Sequence, residues 1–181
     1  MKAASFNKYG LSFRPVEVSD AQFILELRTD ESLGRYISKT GNGIDQQVQW
    51  ISEYKKREKA QVEYYFLTED QMGKSLGLYR LYNFEGNCFE GGSWLYKKDV
   101  PPGAPVLGDF AIRDIAFEDL KFEFCNLLVR RKNKPVLQYH MSFNPEIVKE
   151  DEVDIYLRVS LVDYRKRRDQ LLKMLLPKNK L

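Results

Sequence analysis

The hydrophobic pattern changes period several times along the chain, and each change marks an element. "LSFRPVEV" (11–18) alternates as a half-buried strand does, and Ser19 and Asp20 stand where a helix is capped before "AQFILELR". After the polar loop "TDESLGRYISKTGNG", Val48, Trp50, Ile51 and Tyr54 fall near helical spacing within "DQQVQWISEYKKREK". The period returns to that of a strand in "QVEYYFLTED", "KSLGLYRLYNF" and "NCFEGGSWLYK", which the turns "DQMGK" and "EGN" divide into an antiparallel meander. A proline-rich loop leads into a helix over Leu107–Leu120, the strand "KFEFCNLLVRR" and a short helix "KPVLQYHM" with Pro135 in its first turn. "EVDIYLRVS" (152–160) is a last strand, and "LVDYRKRRDQLLKMLL" closes the chain as a basic helical tail from about residue 161. The order predicts a mixed α+β domain around one sheet.

Composition narrows the class without naming a chemistry. A chain of 181 residues with 43% hydrophobic and 30% charged positions is expected to be one globular domain with a real core. A net charge of +3 gives nucleic acid little to hold. The run Arg165, Lys166, Arg167, Arg168 is expected to be a solvated helix face or a contact between copies, so a monomer or homodimer is anticipated. Cys88 and Cys125 have no metal-like spacing and are expected to be reduced thiols. No apolar run approaches the ~20 residues of a membrane span, and "MKAASFNKYG" lacks the apolar stretch of a signal peptide, so a cytoplasmic location without membrane contact is expected.

Four local segments in this order carry a resemblance. "LSFRPVEVSDAQFILELRTDE", "QVQWISEYKKRE", "AIRDIAFEDLKFEF" and "VRRKNKPVLQYHM" resemble the GNAT superfamily of acyl-CoA-dependent N-acetyltransferases over residues 11 to 160. They are similar to the branch that includes ribosomal-protein alanine and amino-sugar acetyltransferases. The resemblance implies a GNAT fold, a mostly antiparallel sheet flanked by helices with splayed central strands, and acetyl-CoA as cosubstrate.

The resemblance also implies roles. The family's pyrophosphate loop would fall at Val100, Gly103 and Pro105, so only the first glycine of its signature is kept. Proline removes a donor there, but in a first helical turn that N–H is otherwise unpaired. The amides of Gly103, Ala104, Val106, Leu107 and Gly108 are left as expected anion contacts. Gly91 and Gly92 inside a strand mark a bulge or close approach, and by the resemblance Trp94, Leu95 and Tyr96 would face the pantetheine arm. Asn133 would touch the CoA arm or cap the following helix.

An ammonium is not a nucleophile, so acetyl transfer to an amine needs a base, and Glu90 stands where such enzymes place a carboxylate. His140, the chain's only histidine, falls where relatives carry a tyrosine that protonates the leaving thiolate; its ordinary pKa near 6.5 makes both forms accessible. The adjacent Tyr139 is the weaker candidate. Tyr36 and Lys39 on the loop between the first helices, with Arg80 and Tyr82 on the meander, suit a phosphorylated or carboxylated acceptor. The expected function is acetyl-CoA-dependent N-acetylation of a primary amine, with a nucleotide-linked amino sugar as one acceptor class and protein N-termini as another. The rival is a catalytically inactive GNAT-like binding module, favoured by the altered loop and the missing tyrosine.

Overall fold

The computed structural model describes residues 4–38, 41 and 43–176. β1 (Phe6–Lys8) and β2 (Leu11–Pro15) form a hairpin, followed by α1 (Ala21–Thr29) and α2 (Ile44–Lys59). The meander is β3 (Tyr64–Glu69), β4 (Ser75–Glu85) and β5 (Cys88–Tyr96). Then come α3 (Ala104–Asp114), β6 (Phe124–Arg130), α4 (Lys134–Met141), β7 (Glu146–Glu150), β8 (Asp154–Ser160) and α5 (Leu161–Leu175). The strands make one eight-stranded sheet in the order β1-β2-β3-β4-β5-β6-β8-β7, antiparallel except where β5 meets β6. This is the mixed, mostly antiparallel α+β architecture that the order of elements predicted.

Strand alternation sends side chains to opposite faces and builds a core on each. On the back, Phe13, Phe66, Leu81, Phe89, Cys125 and Leu127 pack with Phe110, Ala111 and Phe117 from α3 and its C-terminal turn, and with Tyr164 and Leu172 from α5. On the front, Tyr65, Leu67, Leu78 and Leu95 pack with Ile24 and Leu27 of α1 and with Ile51 and Tyr54 of α2. Each large side chain removed from water contributes about 1.5–3 kcal/mol, so these faces fix which helix lies where. The C-terminal leucines therefore pack inward, and Arg168 pairs with Asp114 and Glu118 rather than presenting a free basic surface.

Three elements differ from the sequence expectation, each for a local reason. β1 is three residues long and β7, "EIVKE", is exposed at every position, so neither shows a one-sided burial pattern. α3 begins at Ala104, a turn earlier than expected, because Pro105 in the first turn forfeits no helical bond. It ends in a π-helical turn over Ile115–Asp119, where Leu120 N–H donates to Ile115 O at 2.9 Å. Asp20 stands at the N-cap of α1 but makes no cap bond there; its carboxylate instead accepts from the Arg14 guanidinium at 2.8 Å and from Glu17 N–H at 2.7 Å.

Candidate active site

The site begins where the sheet forks. β5 and β6 pair at Cys88–Phe124, Phe89–Cys125 and Glu90–Asn126, and then diverge. On its other side β5 slips register against β4 between Leu78 and Arg80, and Ser93 takes the extra position with a φ of 49°. The bulge therefore sits just after the paired glycines. The glycines have a different cause: a Cβ on Gly91 would lie 2.5 Å from Tyr79 Oη, and one on Gly92 2.9 Å from Tyr82 Oη. Beyond the fork a cleft of about 490 Å³ opens between the strands. Its lining includes Gly91, Trp94, Leu95 and Tyr96 from β5, Leu127 to Arg130 from β6, Asn133 and His140, with Tyr36 from the loop after α1.

The residues predicted to hold the cofactor divide into those that line this cleft and those on the loop behind it. Leu95 and Tyr96 have side chains committed to the cores, so they present backbone to the cleft. Trp94 links both sides: its indole N–H donates to Pro105 O at 3.0 Å, and its ring lies 5.1 Å from Tyr139 and 5.7 Å from His140. Asn133 occupies the N-cap of α4 without a side-chain cap bond and lines the cleft. Gly103 has a φ of +83°, and a Cβ there would also lie 3.0 Å from Leu175.

The expectation for the five loop amides needs correcting. Ala104 N–H donates to Pro101 O at 3.0 Å and Leu107 N–H to Gly103 O at 2.9 Å. Gly108 is a turn inside α3, where an N–H is committed to the helix; it is glycine because Tyr96 Oη would lie 1.8 Å from a Cβ. The earlier start of α3 thus leaves Gly103 and Val106 as the amides of that group available to an anion.

Behind the cleft lies a buried polar network. Arg113 and Asp109, both fully buried on α3, form an ion pair at 2.9 Å. Tyr139 Oη donates to Asp109 at 2.6 Å, and Arg113 Nε reaches Tyr79 Oη at 3.4 Å. Arg113 Nη2 lies 3.1 Å from His140 Nδ1. A guanidinium only donates, so Nδ1 accepts and the imidazole proton is on Nε2. Burial first, and the Arg113 charge second, hold His140 well below its usual pKa. The expectation that both protonation states are accessible is therefore overturned: His140 is neutral at physiological pH. Burial likewise pushes Tyr139 well above the ordinary tyrosine range, and the Cys125 thiol up to about 12.

Glu90 faces the front of the sheet at the last paired rung. Its carboxylate accepts from Tyr82 Oη and, at 2.9 Å, from Asn83 Nδ2. Asn126, Leu128, Tyr156 and Arg158 line the groove beside it, and Arg158 Nε donates to Asn126 Oδ1 at 3.1 Å. Tyr82 lies under the Arg80 guanidinium at 4.3 Å, and Arg80 Nε donates to the buried Glu63 at 2.6 Å. Tyr36 lines the cleft, while Lys39 lies outside the described residues. Sequence reasoning missed Arg113 and Asp109, whose i, i+4 spacing on α3 was the available signal, and Arg28, Gln47 and Tyr65, which no motif marks.

A sheet that forks between two central strands, a helix behind the fork and a carboxylate at its apex define an acyl-CoA N-acyltransferase architecture. The chain belongs to the GNAT acetyltransferases: the acetyltransferase (GNAT) domain model matches residues 11–142. It is similar in structure to apo FdhC, a nucleotide-linked sugar GNAT, with 30% identity and a TM-score of 0.82 over 97% of this chain and 99% of that one. The ribosomal-protein-S5-alanine acetyltransferase from Vibrio fischeri shares the fold at 15% identity, TM-score 0.72, over 87% of this chain and 96% of that one. Spermidine N-acetyltransferase from Vibrio cholerae, in complex with CoA and spermine, does so at 19% identity, TM-score 0.70, over 87% and 99%. No curated protein sequence matches the chain. The enzyme is an acetyltransferase that uses acetyl-CoA, and the unpaired edges of β5 and β6 suit a pantetheine arm, which hydrogen-bonds like a strand. Among the described residues no helix is long and apolar enough to cross a membrane.

Proposed function

We propose that the enzyme acetylates a primary amine on a nucleotide-linked amino sugar, with Glu90 as base and His140 as hydrogen-bond donor to the leaving sulfur. The observation that carries this is the position of Glu90 at the fork, between the cleft and the open front groove. The 30% identity to a nucleotide-linked sugar GNAT supports the acceptor class.

When bound, acetyl-CoA supplies an activated thioester. Glu90 takes a proton from the acceptor ammonium, freeing the lone pair that attacks the carbonyl carbon. Backbone N–H groups on the unpaired edge of β5, with Leu95 as candidate, polarise the carbonyl oxygen. As the C–S bond breaks, His140 Nε2–H donates a hydrogen bond to the departing sulfur. A neutral imidazole holds that proton too tightly to release it to a thiolate, so the second amine proton reaches the sulfur through solvent. His140 thus steadies the charge on the sulfur without giving up its proton.

The test is turnover with acetyl-CoA against a panel of amino-sugar nucleotides, spermidine and peptides with N-terminal Ala or Ser. Amino-sugar nucleotides alone should be consumed; acetylation confined to peptides or spermidine overturns the acceptor class. Melting with and without acetyl-CoA tests the donor side: ligand at 100 times Kd stabilises by about 2.7 kcal/mol.

A further inference from the structure

A second, smaller pocket of about 100 Å³ lies on the front of the sheet, walled by α1, α2 and β3–β5. Its lining is Arg28, Ser38, Gln47, Trp50, Tyr65, Arg80 and Ser93, with Ile24 at one side. None of these described residues is a carboxylate. Arg28 Nη2 donates to Ser38 O at 3.0 Å and approaches Ser38 Oγ at 3.2 Å, while Nη1 lies 3.4 Å from Ser93 Oγ. These contacts orient the guanidinium along the pocket wall. Arg80 uses its Nε on Glu63 and stacks against Trp50 at 5.2 Å, which leaves its terminal nitrogens for a ligand.

The distinguishing feature is Tyr65. It is 1% exposed, its ring is clamped edge-on to Trp50 and Tyr54, and its hydroxyl lacks a hydrogen-bond partner among the described residues. Ser93 and Arg28 are the polar groups nearest it. A buried hydroxyl without a partner is costly unless something completes it. A phosphate oxygen would accept from Tyr65, from the guanidinium groups and from the serine hydroxyls together.

We propose that this pocket is a subsite for a phosphate group carried by the acceptor. The inference rests on the reading of Glu90 as the base and deepens it. Arg80 and Tyr82 are successive same-face residues of β4, about 7 Å apart, and Tyr82 donates to Glu90. The phosphate and the reacting amine must therefore be separated by little more than one sugar ring. The pocket's volume accepts one phosphoryl group and leaves a nucleoside outside. Its charge disfavours a polyamine, which separates this enzyme from the spermidine acetyltransferase that shares its fold.

The experiment is calorimetric titration of the full chain with inorganic pyrophosphate, UDP and succinate, each with saturating CoA so that the loop before α3 is already filled. Pyrophosphate and UDP should bind and succinate should not. Tyr65→Phe removes only the unpartnered hydroxyl; it should melt at the same or a higher temperature yet bind pyrophosphate about tenfold more weakly. Arg28→Gln should weaken binding by tenfold or more, with CoA affinity unchanged in both variants. Absence of phosphate binding, preference for succinate, or wild-type pyrophosphate affinity in either Tyr65→Phe or Arg28→Gln overturns the proposal. Failure of wild type to bind CoA would instead remove the donor side of the proposed reaction, and the two failures are read separately.

Discussion

Arg113 Nη2 stands 3.1 Å from His140 Nδ1, with Asp109 2.9 Å away on the far side of the guanidinium. This contact fixes the histidine's tautomer and, with burial, its charge. It changes the chemistry available to the cleft from proton donation to hydrogen-bond donation.

The first prediction follows from the sign of that shift. His140 titrates lower in the folded chain than its ordinary value near 6.5, so the unfolded chain takes up the proton first as pH falls. The stability this group contributes is complete above about pH 6.5 and is lost below it, at up to about 1.4 kcal/mol per pH unit. Denaturation midpoints of His140→Gln should fall less steeply over that range than those of wild type. Parallel curves would mean that His140 is charged or solvated in the folded chain.

Removing the base should separate turnover from binding. Glu90→Gln keeps the acceptor geometry for Tyr82 but lowers proton affinity, so kcat should drop by about 100-fold or more. Acetyl-CoA affinity should stay near wild type, because Glu90 lies on the front groove and not in the lining of the cleft. Undiminished turnover would remove Glu90 from the mechanism.

The paired glycines make a rescue testable. Gly91→Ala sets a methyl 2.5 Å from Tyr79 Oη and should destabilise by about 1–3 kcal/mol in urea denaturation. Tyr79→Phe deletes that oxygen, so the double variant should recover part of the loss. Simple additivity of the two substitutions would mean that the hydroxyl is not what excludes a side chain.

At the loop before α3, Gly103→Ala meets both a left-handed φ of +83° and the Leu175 side chain. A loss of about 1–2 kcal/mol is expected from the backbone conformation, with weaker acetyl-CoA binding because one of the two remaining loop amides moves. Unchanged calorimetric affinity would show that the donor's phosphates are held elsewhere.

How much of this was written in the chain differs by scale. The hydrophobic pattern located the meander, α2, β8 and α5, since α2 and β8 bury one face, β3 is a short apolar run buried on both, and each pattern is local. It did not reveal β1 or β7: the first is too short to set a period, and the second hides nothing from water. Gly91–Gly92 announce a disturbance in β5, and the resemblance marks Glu90 and Asn133 from the sequence alone. Tertiary structure decided the rest. Only pairing with β4 put the bulge at Ser93 and only the early start of α3 occupied its loop amides. Only packing of α3 against α4 set Arg113 on His140, and only the meeting of α1, α2 and the sheet gathered Arg28, Tyr65 and Arg80 around one pocket. Charge, tautomer and shape at a site depend on groups far apart in sequence, and a pattern read along the chain records only neighbours.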